Sequence, residues 1–94
     1  MKIIVAQAAA ADLARLRDFL ADKSPAAANR AAAALIVAIQ SLDTFPERGR
    51  PSGPNMRELI VPFGNSGYVL RYAFREQDDE VVVLRIWHSR EERQ

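Results

Sequence analysis

The apolar residues of this chain change period once, and that change constrains the fold more than any other feature. Between Ala8 and Leu42 they recur every three or four positions; between Tyr68 and Trp87 they sort onto alternate positions. A period near 3.6 lines one stripe of a helix, and a period of 2 lines one face of a strand. Helices first and strands afterwards predict an α+β architecture, with a helical pair packed on an antiparallel sheet.

The detail follows that division. Lys2 to Ala6 is rich in β-branched residues and reads as a short N-terminal strand. From Ala8 to Ala21, Ala9, Leu13, Leu16 and Leu20 share a helical face with Phe19 beside it, while Asp12, Arg15, Asp18 and Asp22 are expected to point elsewhere. Ser24-Pro25 supplies a capping hydroxyl and a proline at the first helical position. The second helix carries Ala28, Ala32, Leu35, Ile39 and Leu42, and the pair makes an αα-hairpin whose alanines permit close approach. Phe45-Pro46 ends it, since the residue before proline is pushed out of the helical region. Glu47 to Asn55, ERGRPSGPN, reads as a solvated loop.

Three antiparallel strands are expected next: Arg57 to Val61, Tyr68 to Arg75 and Val81 to Trp87, joined by FGNSG and EQDDE. Tyr68, Leu70, Tyr72 and Phe74 share one face of the second, and Val82, Leu84 and Ile86 one face of the third. The first is ambiguous, because Leu59 and Val61 oppose Ile60. If the larger apolar sets meet the helices, Arg71, Arg85 and Trp87 lie on the face the helices leave bare. An exposed Trp beside arginines points to a binding role; the alternative is a cation–π lid over the indole from Arg75 or the tail.

Composition narrows the chemistry. A chain of 94 residues is expected to form one domain, 1–94, burying roughly 60–65% of the surface its unfolded form exposes. With no cysteine and one histidine, neither a disulfide framework nor a metal or other cofactor centre is expected. Net charge is +1, too little to pull the chain to nucleic acid by itself. Lys2 and Lys23 are the only lysines, so basic charge is almost all arginine. The amino terminus lacks a secretion signal, no stretch is long enough to span a membrane, and a cytoplasmic protein is expected.

The order of elements, carried by AAADLARLRDFL, LDTFPERGRP, RELIVPFGNSGYVLRY and VVVLRIWHSREER, resembles the RelE/ParE superfamily of type II toxin–antitoxin toxins over essentially the whole chain. The resemblance implies one of two activities. RelE-like members are ribosome-dependent messenger endoribonucleases; ParE-like members inhibit DNA gyrase. Both are silenced by an antitoxin, for the ParE side a ParD-like, ribbon-helix-helix protein in a hetero-oligomer.

A ribonuclease needs a base for the 2′-hydroxyl, a cation for the phosphate and an acid for the leaving oxygen. His88 with Arg71, Arg85 and Arg90 are the residues available for that work. Against it, Val69 stands where the RelE pattern has arginine, IVPFGNSG carries no charge, and no Tyr follows Trp87. FPERGRP and the His-x-Arg ending formed by His88 and Arg90 look closer to ParE. That side implies a binding toxin with Trp87, His88, Arg90 and Arg93 facing the target and Leu13, Leu16, Arg57, Arg71 and Arg85 facing the antitoxin. A degenerate relative that only binds its antitoxin is the third reading.

Overall fold

A computed structural model describes residues 1–91 of the chain. β1 (Lys2–Val5) leads into α1 (Gln7–Ala21) and α2 (Pro25–Ser41). Then come β2 (Arg50–Pro51), β3 (Met56–Phe63), β4 (Ser66–Arg75) and β5 (Glu80–His88). The α+β architecture with its helical hairpin is as the sequence predicts, but the sheet has five strands, in the order β1-β5-β4-β3-β2. The three expected strands form its antiparallel centre. At one edge β1 lies parallel to β5, with Ile3 opposite Val81 and Val5 opposite Val83. At the other, two residues of the supposed loop pair with β3, Arg50 opposite Glu58 and Pro51 opposite Arg57. A proline is tolerated there because an edge strand can lack one N–H.

Both helices pack on one face of the sheet. The Ser24 hydroxyl accepts the Ala27 N–H at 3.2 Å and Pro25 opens α2, so the predicted cap is in place. α2 buries Ala28, Ala31, Leu35, Ala38 and Ile39. α1 buries Ala9, Asp12 and Leu16, with Leu13 and Leu20 partly buried against the same core. Phe19 is excluded and stays exposed under the Lys23 ammonium, 4.5 Å from the ring centre. α2 ends at Ser41, ahead of Phe45-Pro46, and its last turn tightens through Leu42 and Asp43. Among the described residues no helix is long and apolar enough to cross a membrane.

On the sheet, Leu59 and Val61 turn inward and Ile60 outward, while Tyr68, Leu70 and Tyr72 join the core as their alternation predicts. β5 departs from strict alternation. Val81 and Val83, expected on the bare face, are fully buried beneath the helices, together with Ile86. Val82 and Leu84, expected inside, are only partly buried. The cause is a β-bulge: Tyr72 faces Val83 but Arg71 faces Arg85, leaving Leu84 as the extra residue. An inserted residue shifts the phase of every side chain beyond it, so one strand buries Val81, Val83 and Ile86 on the same side.

Candidate partner-binding surface at the closing strand

The bulge and the shortness of β1 together create the local problem that the closing strand must solve. β1 pairs with β5 only as far as Val83, after which the Ala6 N–H closes on the Val83 carbonyl. Beyond that point no described strand pairs with this edge of β5, and the N–H groups of Ile86 and His88 need other acceptors. Two carboxylates take them. Asp12 Oδ2 accepts the Ile86 N–H at 2.9 Å, and Glu91 Oε1 accepts the His88 N–H at 2.7 Å.

Both acids also hold arginines. Arg85 donates to Asp12 through Nε at 2.8 Å and Nη2 at 3.1 Å. Arg15 reaches Glu91 Oε2 at 2.6 Å and lies 3.5 Å from Asp12 Oδ1. The result is an alternating chain of charges, Arg85–Asp12–Arg15–Glu91, running from β5 across α1 to the segment after the sheet. Burial pushes the Asp12 carboxyl up, but the Arg85 and Ile86 hydrogen bonds and the two guanidinium charges outweigh it and hold its pKa below the ordinary value. The same bonding raises the Arg85 pKa.

Asp12 is therefore not on the solvent side of α1, as its polarity predicts. Its spacing gave the signal: it lies three residues after Ala9 and four before Leu16, on the buried stripe itself. Glu58 and Ser66, unremarked in the sequence, matter to this surface only through contacts far apart in the chain, and Glu91 through one such contact, to Arg15, besides its turn with His88.

His88 is half-buried on the helix side of the sheet, its ring edge-on to Tyr68 at 5.5 Å between centres. Nδ1 accepts the Arg90 N–H at 3.2 Å, which in a neutral ring leaves the proton on Nε2, directed at the Ser66 hydroxyl 2.8 Å away. In that tautomer the ring donates to Ser66 and cannot take its proton. Tyr68 itself is held above the usual tyrosine pKa by burial and by the Glu91 charge.

Trp87 faces the other way, opposite Val69 on the side without helices. It belongs outside the helix-packed core, as predicted, yet it is not exposed: 9% of its surface is accessible. The lid is Arg71, whose guanidinium lies 5.0 Å from the indole centre. Arg71 in turn donates from Nε and Nη2 to Glu58 Oε2 at 3.2 and 2.8 Å. Arg75, which with the tail was expected to form that lid, pairs with Glu80 instead.

The remaining candidates divide. Arg85 stands opposite Arg71 in register, but its guanidinium turns to α1 and Asp12 rather than lying open on the bare face. Leu16, a candidate for antitoxin contact, is 6% exposed because it is core, and Leu13 is half-buried against it. Arg57 donates to the carbonyls of Glu47 and Gly49 at 3.2 and 2.7 Å, which ties down the loop before β2. Arg90 is exposed on the segment after β5, and Arg93 lies outside the described residues. Among the described residues no group of His, Asp and Glu could hold a metal ion.

This arrangement has relatives. Toxin RelE1 of Caulobacter vibrioides is 43% identical over 91 residues, covering 97% of this chain and 96% of its own. Toxin RelE3 of the same bacterium is 44% identical over 82 residues, 87% of each chain. A solved structure titled as a chromosomal ParDE toxin–antitoxin system from P. aeruginosa superposes with a TM-score of 0.74 at 23% identity, over 94% of this chain and 95% of that one. The strand, helical hairpin and five-stranded sheet thus follow a shared fold. Residues 3–93 match the family described as the ParE toxin of the type II toxin–antitoxin system parDE, and with that span the chain belongs to it.

Proposed function

We propose that this toxin arrests growth by binding DNA gyrase in the cytoplasm, and that a ParD-like antitoxin of ribbon-helix-helix type silences it in a hetero-oligomer. The observation that carries the reading is the prior engagement of three of the four groups a ribonuclease would draw on, Arg90 being the exposed exception. Arg71 is held by Glu58, Arg85 is held by Asp12, and both nitrogens of His88 have partners. Arg71 and His88 also project from opposite faces of the sheet, so they do not converge on one phosphate. A binding toxin needs no such convergence. The residues that meet the target are then Trp87, His88 and Arg90, around the exit of β5, together with Arg93 beyond the described residues. Leu13, Arg57, Arg71 and Arg85 lie toward the antitoxin, with Leu16 holding α1 in place from beneath.

One observation favours a second reading. The Caulobacter relatives carry the RelE name, and the resemblance to RelE-like members implies cleavage of messenger RNA on ribosomes. Two assays on purified toxin separate the readings. The gyrase reading expects loss of plasmid supercoiling and no discrete messenger cuts by primer extension on translating ribosomes. Discrete cuts with supercoiling unimpaired would assign the toxin to the ribosome, and neither effect would leave a protein that only binds its antitoxin. Co-expression with an adjacent antitoxin gene should give one co-eluting complex at micromolar concentration.

A further inference from the structure

We propose that the Arg15–Glu91 pair is a latch that positions the closing segment of the toxin, so that both are positioning residues for the target surface. This rests on the reading of Trp87 and Arg90 as target contacts. After His88 the chain leaves the sheet, and its direction is set by a small ring of bonds. Glu91 N–H donates to the His88 carbonyl at 2.9 Å while Glu91 Oε1 accepts the His88 N–H at 2.7 Å. The two residues thus satisfy each other's backbone as an adjoining strand would. Within that turn the Arg90 N–H is fixed on His88 Nδ1 and the Ser89 N–H on the Gly67 carbonyl.

The ring binds the segment only to itself and to β4. What joins it to α1 is the second Glu91 oxygen, 2.6 Å from Arg15 Nη1. Arg15 is one helical turn from Asp12, which already grips Arg85 and Ile86 before the segment begins. One helix therefore holds β5 at Ile86 and the departing chain at Glu91, and the two residues between them that bear on the target, Trp87 and Arg90, ride on that clamp. An exposed ion pair adds little to global stability. A local opening equilibrium needs only a small bias to shift, and that is where a latch acts.

The test uses the full chain. Arg15→Ala and Glu91→Ala should each speed amide exchange at His88, Ser89 and Arg90 by about two- to five-fold, the range a weak pair gives, with Leu70 and Val83 unchanged. Glu91→Gln keeps an acceptor for the His88 N–H but loses the charge, so it should release the segment from α1 partway. Arg15→Lys should restore most of the protection. Growth arrest on expression without antitoxin should weaken in the same order, with melting temperature unaltered. Unchanged exchange in both alanine variants would overturn the latch. So would faster exchange with undiminished growth arrest, provided Trp87→Ala or Arg90→Ala abolishes that arrest. If those two variants instead arrest growth fully, the target-contact reading is the one that fails, and the exchange data alone judge the latch.

Discussion

The Trp87 indole is buried without belonging to the helix-packed core, because Arg71 roofs it on the face away from the helices. A core aromatic truncated to alanine costs ~3–5 kcal/mol; outside the helix-packed core, against Val69 and beneath the Arg71 guanidinium, about 2 kcal/mol is expected for Trp87→Ala. Urea unfolding at neutral pH measures it, and Trp87→Phe should recover most of the loss. Arg90 is exposed, so Arg90→Ala should stay within about 0.5 kcal/mol of the parent in the same experiment. If Arg90 faces the target, that variant nonetheless loses growth arrest while still binding antitoxin. A cost for Trp87→Ala above ~3 kcal/mol would place the indole among core residues.

At the scale of elements, the loop before β3 shows what a local reading of sequence can and cannot reach. ERGRPSGPN has the composition of a solvated connection, yet Gly49 is buried against the Tyr72 ring. Its N–H donates to the Tyr72 hydroxyl at 2.8 Å, and that hydroxyl donates to the Pro46 carbonyl at 2.7 Å. A single phenol from β4 thereby fixes both ends of the turn that leads into β2, and burial raises its pKa above the usual tyrosine value. Tyr72→Phe should leave the Gly49 N–H without its acceptor, costing about 1–3 kcal/mol, and should quicken proteolysis between Pro46 and Arg50. Gly49→Ala should be worse than a helix-surface alanine, since the added Cβ would sit 2.8 Å from Tyr72 Cε1. The helical stripes and the three central strands were legible because their signals are local: period, cap and turn residues. The Tyr72 tether, the parallel seat of β1 and the bulge at Leu84 were not, since each is decided by partners far away in sequence. Three consecutive valines, Val81 to Val83, gave either face of β5 a credible apolar set, and only the bulge settles which one meets the helices. The same limit applies to the candidate surface, where Trp87 was placed on the correct face but its Arg71 lid was not foreseen.

Across the whole molecule, α1 is joined to the sheet by one buried carboxylate as well as by apolar packing. Asp12 accepts from the backbone of Ile86 and from the side chain of Arg85, so its ionised form is favoured in the folded state. A carboxyl whose folded pKa lies below its unfolded value binds fewer protons when folded. Its contribution is complete above the unfolded pKa of about 4 and is lost as pH falls from there through the lower folded value. The parent should therefore lose part of its urea stability on acidification below about pH 4, whereas Asp12→Asn should lack that component. Asp12→Asn keeps an oxygen for the Ile86 N–H but gives up the charge that Arg85 and Arg15 meet. Asp12→Ala leaves the Ile86 N–H unsatisfied as well, and at pH 7 it should be the less stable of the two by about 1–3 kcal/mol. The test is the pair of stability-versus-pH curves: the gap between parent and Asp12→Asn should be widest near neutral pH and close on the acid side. A gap that stayed constant through pH 3 would mean that the ionised carboxylate contributes nothing to joining helix and sheet, and that Asp12 acts there only as a hydrogen-bond acceptor.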